Sequence, residues 1–408
     1  MKIVDKIRKF LYKYNLLLYY IFFADLILNE TIYRFSCNPF GIILKLIRYF
    51  CYFMLLLKLI IDWKNGTKNI TIVQIISFTV IFISFLITKN TSLILLFIIL
   101  NAVTDKNILN IIKINYKIYF WLFFIIILLS LIGIIPDWVY YRGAIERHSL
   151  GFYYPTITMG IYLSIIIMFF YLNHDKVKYS ELLILELINV FLYNYTDGRM
   201  SFYLITLILI LLLVYKLKKL KKFLKIILHW KFTRIICMIV PLLLFSGTMV
   251  ATFLYKNNTT VGNELNKVLS DRLSLNTKAF ENYGVPLFGK KIDWNGWGGY
   301  GYTNLPSLDE YEYNYVDMSY TRIIFDYGIV ITIIILVGYC LLLKKYYDEK
   351  KYWLVISIIF VLLWSCIEPN IVGLEKNIFV LYLSRLFNYG KIEKLDYKNV
   401  FKNKRSEL

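Results

Sequence analysis

Long apolar runs separated by short polar connectors fill most of the 408-residue chain. A helix needs about 20 apolar residues to cross a bilayer. The pattern therefore predicts about 12 membrane-spanning helices, with both chain ends on one side of the membrane. The predicted spans are 16–31, 40–61, 70–88, 91–103, 119–135, 152–172, 181–195, 200–215, 234–255, 319–343, 352–367 and 371–387.

One segment breaks this pattern. Residues 256–318 are polar and aromatic, lie between two apolar runs, and are much longer than the other connectors. A segment of this length in water must either fold over the spans or bind something, and we expect it to form half of an active site. The chain is therefore divided into residues 1–255 with nine spans, the loop 256–318, and residues 319–408 with three spans and a basic tail.

Composition agrees with a membrane protein. The chain is 59% hydrophobic and only 18% charged, and its mean hydropathy is +0.58, which predicts an all-α, polytopic transmembrane protein rather than a soluble domain. The net charge of +20 comes mainly from lysines in the short connectors of one side. Such a distribution sets membrane topology and does not indicate nucleic-acid binding. It predicts that the lysine-rich side is cytoplasmic and that the long loop is extracytoplasmic.

Arginines occur on the predicted outer side, where the positive-inside rule depletes them. A single arginine there is explained by snorkelling or by contact with lipid headgroups. Several on one face favour another interpretation, because the guanidinium fork holds phosphate oxygens bidentately. An arginine-lined outer cavity would suit a diphosphate. The arginines are Arg142, Arg147, Arg199, Arg272 and Arg322.

The same side offers few proton acceptors. Asp317 is the best placed, where the loop re-enters the membrane near Arg322, although it could equally be an N-terminal helix cap. Asp197 could be only a turn former in its Asp-Gly pair. The sequence has no HExxH motif, Cys/His cluster or paired DxD at this face, so we expect neither a catalytic metal nor a cofactor. The candidates are His148, Asp197, Asp271, Asp309, Glu310 and Asp317.

Four stretches resemble the Wzy polymerases of bacterial O-antigen and capsular polysaccharide, which are relatives of the O-antigen ligases. They are RHSLGFYYP (147–155), TDGR (196–199), SDRLSLNTKAFENYGVPLFGKKI (270–292) and YVDMSYTRIIFDYGIV (315–330). The chain departs from the family pattern at Tyr154 and Thr156, where His and Asn are common. It also has Asp317 where the ligases typically place a histidine, which favours a carboxylate as the base.

The resemblance implies a GT-C-like glycosyltransferase in the bacterial cytoplasmic (inner) membrane, with its active site facing outward. Its substrate would be an oligosaccharide on undecaprenyl diphosphate, and it would meet membrane lipids, a flippase and a chain-length regulator. Asp317, Arg199 and His148 are the candidate catalytic residues. The candidates for substrate binding are Arg142, Arg147, Arg272 and Arg322, which would hold the diphosphate, Asp197, and Trp294, Trp297 and Tyr300 of the WNGWGGYGY run, which would hold sugar.

The main alternative is a transporter, such as a flippase for lipid-linked oligosaccharides. Ionisable residues inside spans are functional by default, and they would then form the transport pathway. Against this interpretation, the sequence has no internal repeat of the kind that transporters commonly carry. A ligase and a purely structural scaffold are the remaining alternatives. The candidate pathway residues are Asp25, Lys45, Arg48, Glu186, Glu375 and Lys376.

Overall fold

The computed structural model describes residues 16–34, 39–64, 70–103, 105–296 and 313–387. Nearly all of its regular structure is α-helical. The helices are α1 (Leu16–Leu28), α2 (Pro39–Lys64), α3 (Ile72–Thr88), α4 (Ser92–Ala102), α5 (Asp105–Leu131), α6 (Pro155–Asn173), α7 (Tyr179–Thr196), α8 (Arg199–Lys216), α9 (Lys218–His229), α10 (Lys231–Lys256), α11 (Thr260–Val268), α12 (Arg272–Tyr283), α13 (Ser319–Tyr327), α14 (Ile329–Asp348), α15 (Tyr352–Trp364) and α16 (Ser384–Phe387).

Six helices in the described part of the chain are long and apolar enough to cross a membrane, namely α2, residues Asn107–Leu131 of α5, α6, α8, α10 and α14. The apolar helices α1, α3, α4 and α15 are shorter. The prediction of an all-α protein with membrane-length helices is therefore confirmed. The number of 12 spans stays a prediction.

Helix α6 lies at the centre of the bundle. It packs against α5, α7, α8 and α15, and most of its residues are buried all round the helix, as expected for a helix inside a large core. At Gly160 the ring of Trp364 in α15 lies 2.9 Å from the position of a Cβ. A larger residue would therefore push α6 and α15 apart.

Two predicted spans differ from the structure. The tenth, 319–343, is broken at Gly328, where φ is +93° and an added Cβ would collide with the Leu287 backbone. The twelfth, 371–387, is not a continuous α-helix, because its regular part is a 3-10 helix at Ile378–Leu383 followed by the four-residue α16. The Asn377 side chain donates to the Ile371 carbonyl (2.8 Å) and accepts from the Val380 amide (3.2 Å). Irregular backbone at membrane depth is tolerated where protein buries it.

The described part of the long loop folds onto the helices. Asn276 of α12 donates to the hydroxyl of Thr252 in α10 (3.2 Å) and accepts from that of Thr321 in α13 (2.9 Å). The chain after α12 then runs along α13, where the Lys290 amide donates to the Phe325 carbonyl (2.8 Å). These bonds hold α11 and α12 over one end of the bundle, which we call the loop end.

Two short strands form a hairpin at the loop end, between α5 and α6. The strands β1 (Val139–Arg142) and β2 (Ile145–His148) are antiparallel, with Val139 opposite His148 and Arg142 opposite Ile145. Strand β2 contacts α7. The hairpin therefore brings the arginines of β1 and β2 close to the α7–α8 turn.

Candidate functional site

A cavity of about 670 Å³ opens at the loop end. Because successive helices run in opposite directions, the end of α1, the beginnings of α6, α12 and α13, and the end of α15 all meet there. Their side chains line the cavity. The charged lining residues are Arg34, Arg142, Arg272, Arg322 and Lys376, and Glu30, Asp271, Asp317, Asp326, Glu368 and Glu375.

Asp317 and Arg272 face each other in this cavity. The Nε of Arg272 lies 3.6 Å from Oδ2 of Asp317. The same guanidinium is held in place by backbone acceptors, since Nε donates to the Ile367 carbonyl (3.0 Å) and Nη1 to the Leu269 carbonyl (3.2 Å). The loop and the segment after α15 therefore orient the arginine together.

Glu368 extends this group. Its Oε1 lies 3.9 Å from Nη2 of Arg272, and its Oε2 lies 3.3 Å from Nζ of Lys376. The hydroxyl of Ser319, the first residue of α13, accepts from the Asn370 amide (2.8 Å). That bond keeps the segment carrying Glu368 beside Asp317. We call Asp317, Arg272, Glu368, Lys376 and Arg322 the cavity cluster.

The carboxyl group of Asp317 does not cap a helix. Helix α13 is preceded by Met318, and its N-cap makes no side-chain hydrogen bond, so the capping explanation is wrong. Burial raises the pKa of Asp317 to about 6, with Arg272 opposing the rise and Glu368 adding to it. A carboxylate with such a pKa is mostly ionised at neutral pH and is a stronger base than an exposed aspartate.

Arg322 is held by an acid and two aromatic rings. Its Nε donates to Oδ2 of Asp326 (2.7 Å), and its guanidinium lies 4.2 Å from the ring centre of Trp294 and 4.7 Å from that of Tyr315. The indole N–H of Trp294 donates to Oδ1 of Asp326 (2.8 Å). Trp294 thus lines the cavity and orients Arg322. Its partners in the predicted sugar-binding run, Trp297 and Tyr300, lie outside the described residues.

The other arginines form a second group, the hairpin cluster of Arg142, Arg147, His148, Asp197 and Arg199. Asp197 accepts from Arg142 Nη1 and from Arg199 Nε, both at 3.0 Å. It has φ +46° and ends α7 in the left-handed conformation, so the turn-forming role considered for it is confirmed. Arg147 is buried and donates to the Thr196 carbonyl (2.8 Å).

His148 belongs to the hairpin rather than to the cavity. Its Nδ1 lies 2.6 Å from Oδ2 of Asp137, and its Nε2 lies 3.8 Å from Oε1 of Glu146. Oδ1 of Asp137 also accepts from the Leu150 amide (2.7 Å). The contact between His148 and Asp137 closes the base of the hairpin. In the described chain Arg142 is the one member of the hairpin cluster that lines the cavity.

Three of the five predicted arginines, Arg142, Arg272 and Arg322, line the cavity, but carboxylates line it as well. In the described chain its lining holds five Arg and Lys side chains against six Asp and Glu side chains. Four of these cations, Arg142, Arg272, Arg322 and Lys376, each lie within 4.0 Å of a carboxylate. A bound diphosphate would therefore share these cations with protein carboxylates.

Sequence patterns missed three lining residues, Glu30, Arg34 and Glu368. Arg34 lies with its guanidinium 4.1 Å from the ring centre of Tyr153. An isolated β-bridge between Thr31 and Phe152 brings this segment to the beginning of α6. In the sequence, these residues are marked only by their position at the outer ends of predicted spans. Charged residues that merely anchor a span at the membrane surface occupy the same kind of position.

Several charges considered for a transport pathway already have partners. Asp25 accepts from Arg48 (2.8 Å). Glu186 accepts from the Thr206 hydroxyl (2.8 Å). By contrast, Glu375 and Lys376 line the cavity.

Within the described ranges, no three His, Cys, Asp or Glu side chains are grouped so that they could hold a metal ion. Metal independence stays a prediction. Comparison with known proteins found no matching family model, no similar curated protein and no similar solved structure. The function of the chain must therefore be inferred from the geometry of the cavity.

Proposed function

We propose that this protein is a membrane glycosyltransferase that polymerises oligosaccharide repeat units carried on undecaprenyl diphosphate. The single observation that carries the proposal is the Asp317–Arg272 pair in a large cavity under the long loop. A carboxylate that can accept a proton lies there beside a cation that can stabilise a departing diphosphate. Glycosyl transfer from a lipid diphosphate needs both groups within reach of one substrate.

In the proposed reaction, Asp317 takes the proton from a hydroxyl group of the incoming repeat unit. The hydroxyl oxygen forms a bond with the anomeric carbon of the growing chain, and the bond from that carbon to the diphosphate oxygen breaks. Arg272 and Arg322 stabilise the negative charge that develops on the leaving diphosphate. Undecaprenyl diphosphate leaves with the electron pair, and no cofactor takes part.

The proposed location is the bacterial cytoplasmic membrane, with the cavity on its outer side. The distribution of lysines supports this orientation. Helix α9, with the sequence KKLKKFLKIILH, follows the end of α8 that is opposite to the cavity. Such a basic amphipathic helix is typical of the cytoplasmic membrane surface.

A flippase for lipid-linked oligosaccharides is the second candidate, and the observation that favours it is the presence of Glu375 and Lys376 in the cavity wall. The glycans that the cell produces distinguish a polymerase from a flippase. In a strain that lacks the gene, loss of the polymerase should leave single repeat units on their final acceptor. Loss of a flippase should leave no units there, and loss of a ligase should leave long chains on the carrier lipid.

The test is to delete the gene, restore it on a plasmid, and analyse the surface glycan and the lipid-linked pool by electrophoresis and mass spectrometry. We expect single units in the deletion strain and long chains after restoration. The Asp317→Asn variant should resemble the deletion, with normal abundance in the membrane. Long chains in the deletion strain would contradict the proposal.

A further inference from the structure

Glu30 differs from the three carboxylates of the cavity wall that have a cation beside them. Its residue is only 6% exposed, yet it lines the cavity. Asp317, Asp326 and Glu368 each have a cation within 4.0 Å. In the described part of the chain, the Glu30 carboxylate makes no ion pair within 4.0 Å and no hydrogen bond, whereas Arg34 and Lys376 act on it electrostatically from a greater distance.

A carboxylate that makes no hydrogen bond to the protein needs donors from another source. Removing a charge from water costs several kcal/mol unless other groups replace the lost hydrogen bonds. Polar groups in a protein are therefore nearly always satisfied by protein or by solvent, and the Glu30 oxygens need donors on the cavity side. Because the Glu30 side chain borders the cavity, a ligand bound there can supply the hydrogen-bond donors that the carboxylate lacks.

The backbone fixes Glu30 in this position. Its amide donates to the Ile27 carbonyl of α1 (3.0 Å), and its carbonyl accepts from the Tyr153 amide (3.1 Å). The next residue, Thr31, forms the β-bridge with Phe152. The carboxylate is thus held between α1 and the beginning of α6 before any ligand binds, which lowers the entropy cost of binding.

The surroundings indicate which kind of ligand fits. Tyr153 and Tyr154 follow the bridge, and both line the cavity beside Glu30 together with a second carboxylate, Glu375. Arg34 and Lys376 also line the cavity and act on Glu30, so the two carboxylates and the two cations balance and leave no excess of positive charge for a phosphate. This wall suits a ligand that presents several O–H donors next to aromatic rings.

We propose that Glu30 binds the hydroxyl groups of the acceptor sugar, in a subsite separate from the Asp317–Arg272 pair that acts on the leaving diphosphate. This inference rests on the proposed function and goes beyond it by assigning a place to the acceptor. Glu30 holds the sugar by charge-assisted hydrogen bonds, which are about twice as strong as neutral ones. Asp317 remains the residue that takes the proton.

Direct binding of a soluble saccharide tests this subsite apart from turnover. The probe is the free repeat unit, released by mild acid from the lipid-linked pool of the deletion strain. Its affinity for the purified full-length protein is measured by titration calorimetry for wild type, Glu30→Gln, Glu30→Asp and Glu186→Gln. Glu186→Gln is the matched control, because Glu186 is a carboxylate in α7 whose hydrogen-bond partners lie within the protein.

We expect Glu30→Gln to bind the saccharide at least about tenfold more weakly, because the amide loses the charge. Glu30→Asp should lie between that variant and wild type, and Glu186→Gln should bind like wild type. Thermal unfolding of each variant checks its fold, and Glu30→Asp carries the test if the glutamine variant is unstable.

Three results would overturn the subsite. The first is that the wild type and the folded Glu30 variants bind the saccharide with equal affinity. The second is that Glu186→Gln loses as much affinity as Glu30→Gln. The third is that the wild type does not bind the saccharide. If the wild type still polymerises the lipid-linked substrate in the same preparation, only the subsite is wrong. If it does not polymerise either, the proposed function fails as well.

Discussion

The cavity cluster and the hairpin cluster look alike in the sequence but differ in the structure. Each contains arginines and an acid near the outer ends of predicted spans. In the hairpin cluster, Asp197 is shared by Arg142 and Arg199, and Arg147 is buried against the backbone. In the cavity cluster, all five side chains border one open space. Charge pairing alone therefore does not distinguish the two clusters, whereas access to a common cavity does.

This difference assigns separate tasks to the two groups. The hairpin cluster joins β1, β2 and the α7–α8 turn, and Arg142 is its connection to the cavity. The cavity cluster joins the loop, α13 and the segment after α15. Variants of the cavity cluster should therefore affect the chemical step, and variants of the hairpin cluster should mainly affect positioning.

The largest effect is expected for Asp317→Asn. An amide cannot accept the proton, and a general base contributes about 10² to 10⁴ in rate. We expect polymerisation of purified lipid-linked substrate to be at least about a hundredfold slower. Substrate binding and membrane abundance should not change.

The matched control is Asp197→Asn. Asparagine tolerates the left-handed conformation that this position requires, so the turn should form. Its activity should stay within about tenfold of wild type, because Asp197 supports Arg142 without taking a proton. If Asp317→Asn were as active as Asp197→Asn, the base would have to be sought elsewhere, and the comparison of the clusters would fail.

A smaller effect is expected for Arg272→Lys. Lysine keeps the charge but loses the fork that reaches Asp317, Glu368 and two backbone carbonyls together. Hydrogen bonds to charged groups contribute about 1.5–3 kcal/mol, so the loss in kcat/KM should be about tenfold to a hundredfold.

The corresponding change in the hairpin cluster is Arg199→Lys. The Arg199 side chain is 46% exposed and pairs with Asp197, and exposed pairs contribute about 1 kcal/mol or less. We expect activity within a few-fold of wild type. If Arg199→Lys and Arg199→Ala both lost nearly all activity, Arg199 would instead bind the diphosphate bidentately.

The pH dependence should follow the same division. Asp317 must be ionised to act as a base, and its pKa is raised to about 6. The rate should therefore be nearly constant above this pH and fall about tenfold per pH unit below it. Initial rates of polymerisation measured at a series of acidic pH values test for this fall. Arg199→Lys should retain it, whereas the residual activity of Asp317→Asn should not show it.

No effect is expected from chelation. In the proposed reaction, Arg272 and Arg322 stabilise the leaving diphosphate, which is the task of magnesium in many phosphate-releasing enzymes. Polymerisation by the purified protein in EDTA should match the untreated rate. Loss of activity that one divalent ion restores would show that the protein cations are insufficient.

The sequence was sufficient to predict the fold class. Apolar runs of membrane length and short polar connectors leave helices as the natural solution, because an isolated segment in lipid must satisfy its own backbone. It also indicated Asp317, Arg272 and Arg322. Asp317 and Arg322 flank the boundary between the polar loop and the next apolar run, and Arg272 lies within the loop.

Only the tertiary structure decided which charges meet. The irregular return after α15 brings Glu368 between Arg272 and Lys376, and a β-bridge brings Glu30 and Arg34 to α6. These contacts join residues far apart in the chain, so no local pattern carries them. His148 and Arg199 were placed by their motifs, yet the hairpin turns them away from the cavity, because a contact between elements depends on packing and not on spacing along the sequence.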